Sequence, residues 1–182
     1  MQAQEDTNNM KLEGFAQFIQ AATHEVFATM LGTEIRMGSV YVGQEPPAPE
    51  DGVIALIGLA GKWVGTGMIT CRAETACAIS GLLLMQEFAK VDDEVLDALG
   101  EVSNMIFGNV KTALEDKIGP MGLSIPTVIY GRNFNTRTVG HKEWTVVTFS
   151  WPGQRFDVHL CLTLVPKEQQ QPRSSPGVAL MT

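Results

Sequence analysis

The chain is poor in the residues that mark several common protein classes. Its 182 residues include 3 cysteines, 3 histidines and 13 basic residues, set against 20 acidic ones, for a formal net charge of −7. The shortage of basic residues argues against a nucleic-acid-binding protein, which needs a positive stripe to meet phosphates. No continuous apolar run approaches the roughly 20 residues of a membrane-spanning helix. The sequence therefore predicts neither nucleic-acid nor membrane binding.

The cysteines Cys71, Cys77 and Cys161 form no CxxC pattern or metal spacing, and their odd number is typical of reduced thiols in a cytoplasm. We expect them to be buried and inert. The polar, acidic start MQAQEDTNN is unlike a secretory signal. These features together predict a cytoplasmic protein.

Hydrophobic residues make up 45% of the chain, which is enough for one domain with a proper core. Apolar spacing predicts a first helix from Lys11 to Leu31, which Gly32 ends, with a core stripe that includes Met30. A short helix is predicted from about Ala73 to Glu87 and a long one from Asp92 or Asp93 to about Lys117. The predicted strands are Ile35–Val42, Val53–Ala60, Trp63–Cys71, Thr127–Gly131, Glu143–Trp151 and Arg155–Val165.

This order predicts an α/β (α+β) domain built from two α-β-β-β units, in which two long helices pack on a largely antiparallel sheet of about six strands. The turn Trp151-Pro152-Gly153-Gln154 predicts that the last two strands pair antiparallel. We place the domain at residues 10–165 and expect residues 1–9 and 166–182 to be flexible termini.

The stretch DALGEVSNMIFGNVKTAL, residues 97–114, predicts an amphipathic helix. At about 100° per residue, one stripe is apolar: Val95, Leu99, Val102, Ile106, Val110 and Ala113. Asp97, Glu101, Asn104 and Gly108 lie nearly opposite this stripe. A carboxylate and an amide one turn apart, followed by a residue without a side chain, can approach another molecule and position a water. The simpler alternative is a solvated polar face, in which Gly108 serves helix packing.

A Glu three residues before an Asn is a short motif that arises readily by chance. It occurs once more, at Glu5 and Asn8, in a segment without helical periodicity. Of the two long predicted helices, only the second carries the pair, so at most one such site is expected.

Other motifs give weaker predictions. The three histidines, His24, His141 and His159, are scattered without metal-ligand spacing, so no metal site is predicted. The glycines of GLAGKWVGTG lie inside alternating strands and favour a bulge or close strand packing over a phosphate loop. The run Asp92-Asp93-Glu94 suits a helix N-terminus better than a cation site.

These residues resemble the CheC/CheX/FliY family of chemotaxis phosphatases, and within it the CheX branch, over roughly residues 10–165. The segment Asp97-x-x-x-Glu101-x-x-Asn104 is similar to the signature helix of the family. Pro126 in SIPTVIYG is similar to a proline that starts a strand after that helix, and GLAGKWVGTGMIT to a Gly-rich hairpin before it. The segment FIQAATHEVFATMLG resembles the first helix of CheX. CheC-like members carry two signature helices, whereas the first helix of this chain lacks the signature, which favours the CheX branch.

The resemblance implies dephosphorylation of a phosphorylated, CheY-like response regulator. It implies that Glu101 docks to the active-site lysine of the regulator and that Asn104 orients the attacking water. Asp97 would support docking, and Gly108 would leave room for the loops of the regulator. The resemblance also implies a homodimer, and no cofactor other than Mg²⁺ supplied by the regulator. Two alternatives stay open: a non-catalytic adaptor or sensor module that uses the same helix, and a small-molecule-binding domain.

Overall fold

The computed structural model describes residues 2–44, 51–132 and 143–165, with side chains from Gly14 onward except that of Asp51. The described residues form three helices: α1 (Gln2–Thr29), α2 (Ala73–Leu84) and α3 (Asp93–Ile118). They form seven strands: β1 (Arg36–Gly43), β2 (Asp51–Gly61), β3 (Trp63–Arg72), β4 (Met121–Leu123), β5 (Thr127–Arg132), β6 (Trp144–Trp151) and β7 (Gln154–Leu164). The predicted tail 166–182 and His141 lie outside the described residues.

All strand pairs in the described sheet are antiparallel, in the order β1-β6-β7-β3-β2, with β4 and β5 both pairing with the outer edge of β2. With β4 left aside, the order is β1-β6-β7-β3-β2-β5. Exchanging β1 with β5, β2 with β6 and β3 with β7 gives the same order read from the other end of the sheet. The strand order therefore supports the predicted duplication of an α-β-β-β unit. The turn before Gln154 joins β6 to β7, with Gly153 at φ 76°, which confirms their antiparallel pairing.

The main core lies between the helices and one face of the sheet. Strand residues alternate between the two faces, and those of β7 that enter the main core include Phe156, Val158 and Leu160. The opposite face carries a second, smaller buried cluster: Ile54, Met68, Trp144, Val146 and Cys161. No helix of the described residues is long and apolar enough to cross a membrane.

The first helix differs from its prediction at both ends. It begins at Gln2 rather than Lys11, because residues 2–9 contain good helix formers and no Gly or Pro, so the helix extends without an apolar stripe. It ends at Thr29, before a left-handed Gly32 at φ 63°. Met30 therefore lies beyond the helix and is exposed, which makes its predicted place in the core wrong.

Two further boundaries differ. Helix α2 ends at Leu84, three residues earlier than predicted, because Met85 adopts a left-handed conformation (φ 54°) and caps the helix. The short strand β4 was not predicted, because three residues are too few to show alternation. Its pairing with residues Leu59–Gly61 of β2 raises the number of described strands to seven.

The burial predicted for the cysteines and the close packing predicted for the Gly-rich hairpin are confirmed. Cys71, Cys77 and Cys161 are all buried, and burial raises the pKa of Cys71 to about 12, which makes its thiol inert. In β3, a Cβ at Gly65 would overlap the Cys161 carbonyl oxygen of β7, and one at Gly67 would overlap the Phe107 ring of α3. Those glycines permit close packing, as expected.

Candidate functional site

The candidate site lies on α3, whose N-terminus is capped. The side chain of Asp92 accepts a hydrogen bond from the Val95 N–H at 3.0 Å, which satisfies one of the free donors of the first turn. Asp93 and Glu94 add negative charge where the helix dipole favours it. The run Asp92-Asp93-Glu94 thus begins the helix, as predicted.

The other end of α3 is fixed by Glu115. Its carboxylate accepts hydrogen bonds from the Met121 N–H of β4 at 2.8 Å and from the Lys111 ammonium at 3.0 Å. These bonds lower the pKa of Glu115, because they stabilise its charged form. The helix ends before Gly119, which has φ 90°. The Asp92 cap thus fixes the first turn of the helix, and Glu115 ties its last turns to β4.

The middle of α3 is held by its apolar face. Five of the six predicted stripe residues are fully buried, and Ala113 is half-buried. The Phe107 ring lies directly over Gly67 of β3, so helix and sheet approach closely. With its ends and centre fixed, α3 presents its outer face as a rigid surface.

That outer face carries the four predicted site residues. Asp97, Glu101 and Asn104 are exposed, and Gly108 is half-exposed. At 100° per residue, the four lie within about 60° of one another around the axis, and Glu101 and Asn104 are about 4.5 Å apart along it. The structure therefore brings all four together on one solvent-facing surface.

Within the described part of the chain, the side chains of Asp97, Glu101 and Asn104 make no hydrogen bond or ion pair. Asn109, five residues after Asn104, differs in this respect. Its amide donates a hydrogen bond to the Glu25 carboxylate of α1 at 3.2 Å and so joins two helices. The hydrogen-bonding groups of Asn104 are thus left available to another molecule.

No packing contact in the described structure requires a glycine at position 108. A Cβ built there has no heavy atom within 4 Å, and Gly108 is not among the positive-φ glycines. Glycine in a helix interior is less favourable than alanine by about 0.8–1.0 kcal/mol. The structure therefore does not support the helix-packing alternative for this residue.

An open groove of ≈ 650 Å³ runs along one side of the site face. It is lined by Asp93, Leu96, Asp97, Gly100, Glu101, Pro126 and Val128. A Cβ at Gly100 would lie 3.6 Å from Pro126 Cγ and 3.4 Å from Val128 Cγ2, so the start of β5 packs closely against α3. The groove is acidic on the helix side and apolar on the strand side. This tertiary contact brings Pro126 beside Glu101.

The sequence interpretation missed two apolar parts of this surface. Leu96 lines the groove, and Ile125, next to Pro126, is 87% exposed. The proline in SIPTVIYG was the available signal, but the packing of β5 against α3 is a long-range contact that periodicity does not reveal.

The other candidate positions whose side chains are described give no second site. Among the described residues, no group of three or more His, Cys, Asp or Glu side chains is arranged to hold a metal ion. His159 is buried on the sheet, with Nε2 2.9 Å from Thr70 Oγ1, and burial lowers its pKa to about 4. The second Glu–Asn spacing, Glu5 and Asn8, was expected to lie outside a helix. That expectation is wrong, because the backbone of both residues belongs to α1.

Comparison with known proteins places these features in context. Residues 53–150 match the family model of the chemotaxis phosphatase CheX. The chain is 26% identical, over 141 residues, to the CheY-P phosphatase CheX of Thermotoga maritima, covering 76% of this chain and 89% of that protein.

Two solved structures share the fold. The chemotaxis protein CheX from Desulfovibrio desulfuricans superposes with a TM-score of 0.74 at 28% identity, over 82% of this chain and 99% of that one. The CheX–CheY–BeF3–Mg²⁺ complex from Borrelia burgdorferi gives a TM-score of 0.70 at 31% identity, over 81% of this chain and 97% of that one.

Proposed function

Because this chain belongs to the family of the chemotaxis phosphatase CheX, we propose that it removes the phosphoryl group from the aspartyl phosphate of a CheY-like response regulator, with Asn104 as the catalytic residue. Family membership supports the reaction class. The observation that carries the assignment to Asn104 is its exposed amide, without a hydrogen-bonding partner in the described chain, on the rigid face of α3.

The chemistry needs little from this chain. An aspartyl phosphate is a mixed anhydride, whose carboxylate leaves readily. Water forms the new P–O bond while the bond between phosphorus and the aspartyl oxygen breaks, which gives inorganic phosphate and a free carboxylate. The regulator supplies Mg²⁺ and the charged groups around the phosphoryl oxygens, so the remaining task is to hold the water in line.

A side-chain amide suits this task. The carbonyl oxygen of Asn104 can accept a hydrogen bond from the water, and its NH₂ group can donate to a phosphoryl oxygen. Holding the water in the attacking geometry can remove several kcal/mol from the barrier. Neither hydrogen bond requires Asn104 to change its protonation state.

Glu101 docks the regulator. Its exposed carboxylate lies one turn before Asn104 and can pair with a lysine ammonium at the phosphorylation pocket. Such a pair aligns the two proteins and speeds their association more than it tightens binding. Asp97, one turn earlier, adds to the negative potential of the groove, and Gly108 leaves clearance for the loops of the regulator.

We further propose that the chain acts in the cytoplasm as a homodimer. Exposed apolar residues on the two edge strands support a dimer joined through a sheet edge: Met37, Tyr41, Val42, Ile129 and Tyr130.

The test is the decay of a phosphorylated CheY-like regulator in the presence of the purified chain. We expect Asn104→Ala to bind the regulator and to lower the rate at saturation by about 100-fold or more, since positioning is worth several kcal/mol. Glu101→Ala should mainly raise the regulator concentration needed for half-maximal rate. Asn109→Ala, on another face of the same helix, is the matched control and should keep full activity.

Full activity of Asn104→Ala would contradict the assignment of the catalytic residue. If the parent chain forms a stable complex with the phosphorylated regulator but leaves its decay rate unchanged, the adaptor interpretation replaces the phosphatase.

A further inference from the structure

Ile125 is an exposed isoleucine beside the candidate site. It lies in the segment between β4 and β5, and the residue is 87% exposed to solvent. A single exposed aliphatic residue is common on protein surfaces. Its significance here depends on how firmly it is held and on what lies next to it.

The backbone on both sides of Ile125 is fixed. On one side, the Ser124 hydroxyl accepts a hydrogen bond from the Gly58 N–H of β2 and donates one to the Ile125 carbonyl, both at 2.8 Å. The Ser124 N–H donates to the Gly58 carbonyl at 2.9 Å. On the other side, Pro126 has a restricted φ and packs against Gly100 of α3.

This arrangement holds the backbone of an exposed apolar residue at a defined place. A segment whose backbone is already fixed before binding loses less conformational entropy when it is covered. Ile125 thus has the properties of an anchor for a partner rather than those of a residue in a mobile loop.

The position of Ile125 relates it to the site face. Its neighbour Pro126 lines the same groove as Glu101, and the residue that Pro126 contacts, Gly100, is about 6 Å along the helix axis from Asn104. A protein interface that buries about 800 Å² on each partner extends roughly 16 Å from its centre. An interface centred on Asn104 therefore extends past Gly100 to Pro126, which packs against it, and Ile125 is the next residue along the chain.

The site face itself offers no comparable apolar contact. Asp97, Glu101 and Asn104 are polar, and solvent-exposed ion pairs contribute little to affinity. In protein interfaces, a few residues that become fully buried supply most of the binding energy, and polar contacts around them supply orientation.

We propose that Ile125 is the apolar docking residue for the phosphorylated response regulator, and that it packs against an apolar patch next to the phosphorylation pocket of that regulator. This inference rests on the proposed function. The same regulator would cover both surfaces, because Pro126, the residue next to Ile125, lines one groove together with Glu101.

The experiment measures the decay of a CheY-like regulator phosphorylated with acetyl phosphate, over a range of regulator concentrations. Ile125→Ser should raise the concentration for half-maximal rate about tenfold and leave the rate at saturation within about twofold, as expected for a contact made equally in the ground and transition states. Ile125→Leu, which restores an apolar side chain, should recover most of the parent value.

Val64→Ser is the matched control. Val64 is also β-branched and exposed, and it lies on β3, four residues before Met68 and so on the face of the sheet away from the helices. This substitution should leave both the concentration for half-maximal rate and the rate at saturation unchanged. Thermal unfolding of each variant within about 2 °C of the parent would show that the fold is intact.

Three results would overturn the inference. If the parent accelerates decay and Ile125→Ser has unchanged kinetics, the docking role is wrong and the proposed function stands. If Ile125→Ser changes the molar mass in light scattering but leaves the kinetics unchanged, Ile125 contacts a second copy of this chain instead. If the parent itself fails to accelerate decay, the proposed function fails and this inference fails with it.

Discussion

Replacing Gly108 with alanine should stabilise the free chain and weaken its activity. The new Cβ would have no heavy atom within 4 Å, and the residue lies ten positions before the end of α3, well inside the helix. Alanine is favoured over glycine in a helix interior by about 0.8–1.0 kcal/mol. We therefore expect the free energy of unfolding to rise by about 0.5–1 kcal/mol, and the Tm by roughly 1–4 °C for a chain of this length.

The same methyl group should obstruct the regulator. It would project from the site face one turn beyond Asn104, where we propose that the loops of the regulator approach. Steric conflicts of this kind typically cost about 1–3 kcal/mol, so the concentration of regulator for half-maximal rate should rise by roughly 5- to 140-fold. Denaturant unfolding and the decay assay measure the two effects separately.

Gly67→Ala is the matched control for stability. There the Cβ would overlap the Phe107 ring, so the same substitution should lower the free energy of unfolding by about 1–3 kcal/mol. A destabilised Gly108→Ala variant would refute the reasoning about helix geometry. A stabilised variant with parent activity would refute the clearance that we assign to Gly108.

The remaining predictions concern pH and assembly. Because burial lowers the pKa of His159 to about 4, against about 6.5 in the unfolded chain, the unfolded state binds the proton first, and stability should fall by up to about 3 kcal/mol as the pH drops from 6.5 to 4. In urea unfolding at several pH values, His159→Gln should show a smaller fall; an equal fall would contradict the assignment. Size-exclusion chromatography with light scattering should give twice the monomer mass, and a monomer at micromolar concentration would refute the dimer.

The elements that periodicity and end signals define were predictable. The predicted bounds of α3 differ from the observed ones by about one residue, because Asp92 caps its start and Gly119 follows its end. The outward placement of Glu101 and Asn104 follows directly from the buried stripe opposite them. The local sequence was therefore sufficient to predict the bounds and the outer face of the helix that carries the site.

Features that depend on tertiary contacts or on weak local signals were not predictable. The start of α1 lacks both an apolar stripe and a stop residue, so periodicity gave no boundary at Gln2. Strand β4 depends on its pairing with β2. The groove depends on Pro126 meeting Gly100, two residues whose contact no local pattern encodes. Each miss reflects a long-range contact or a segment without amphipathic signal.

The buried thiols have a practical consequence. All three cysteines of the sequence are buried, and burial raises the pKa of both Cys71 and Cys77, but Cys77 is 9% exposed and lines an open pocket beside α2. Replacing Cys77 with serine would remove the native thiol that solvent reaches most readily. A cysteine introduced at an exposed position would then be the principal group to react with a maleimide, so that the chain carries a single fluorophore for binding studies.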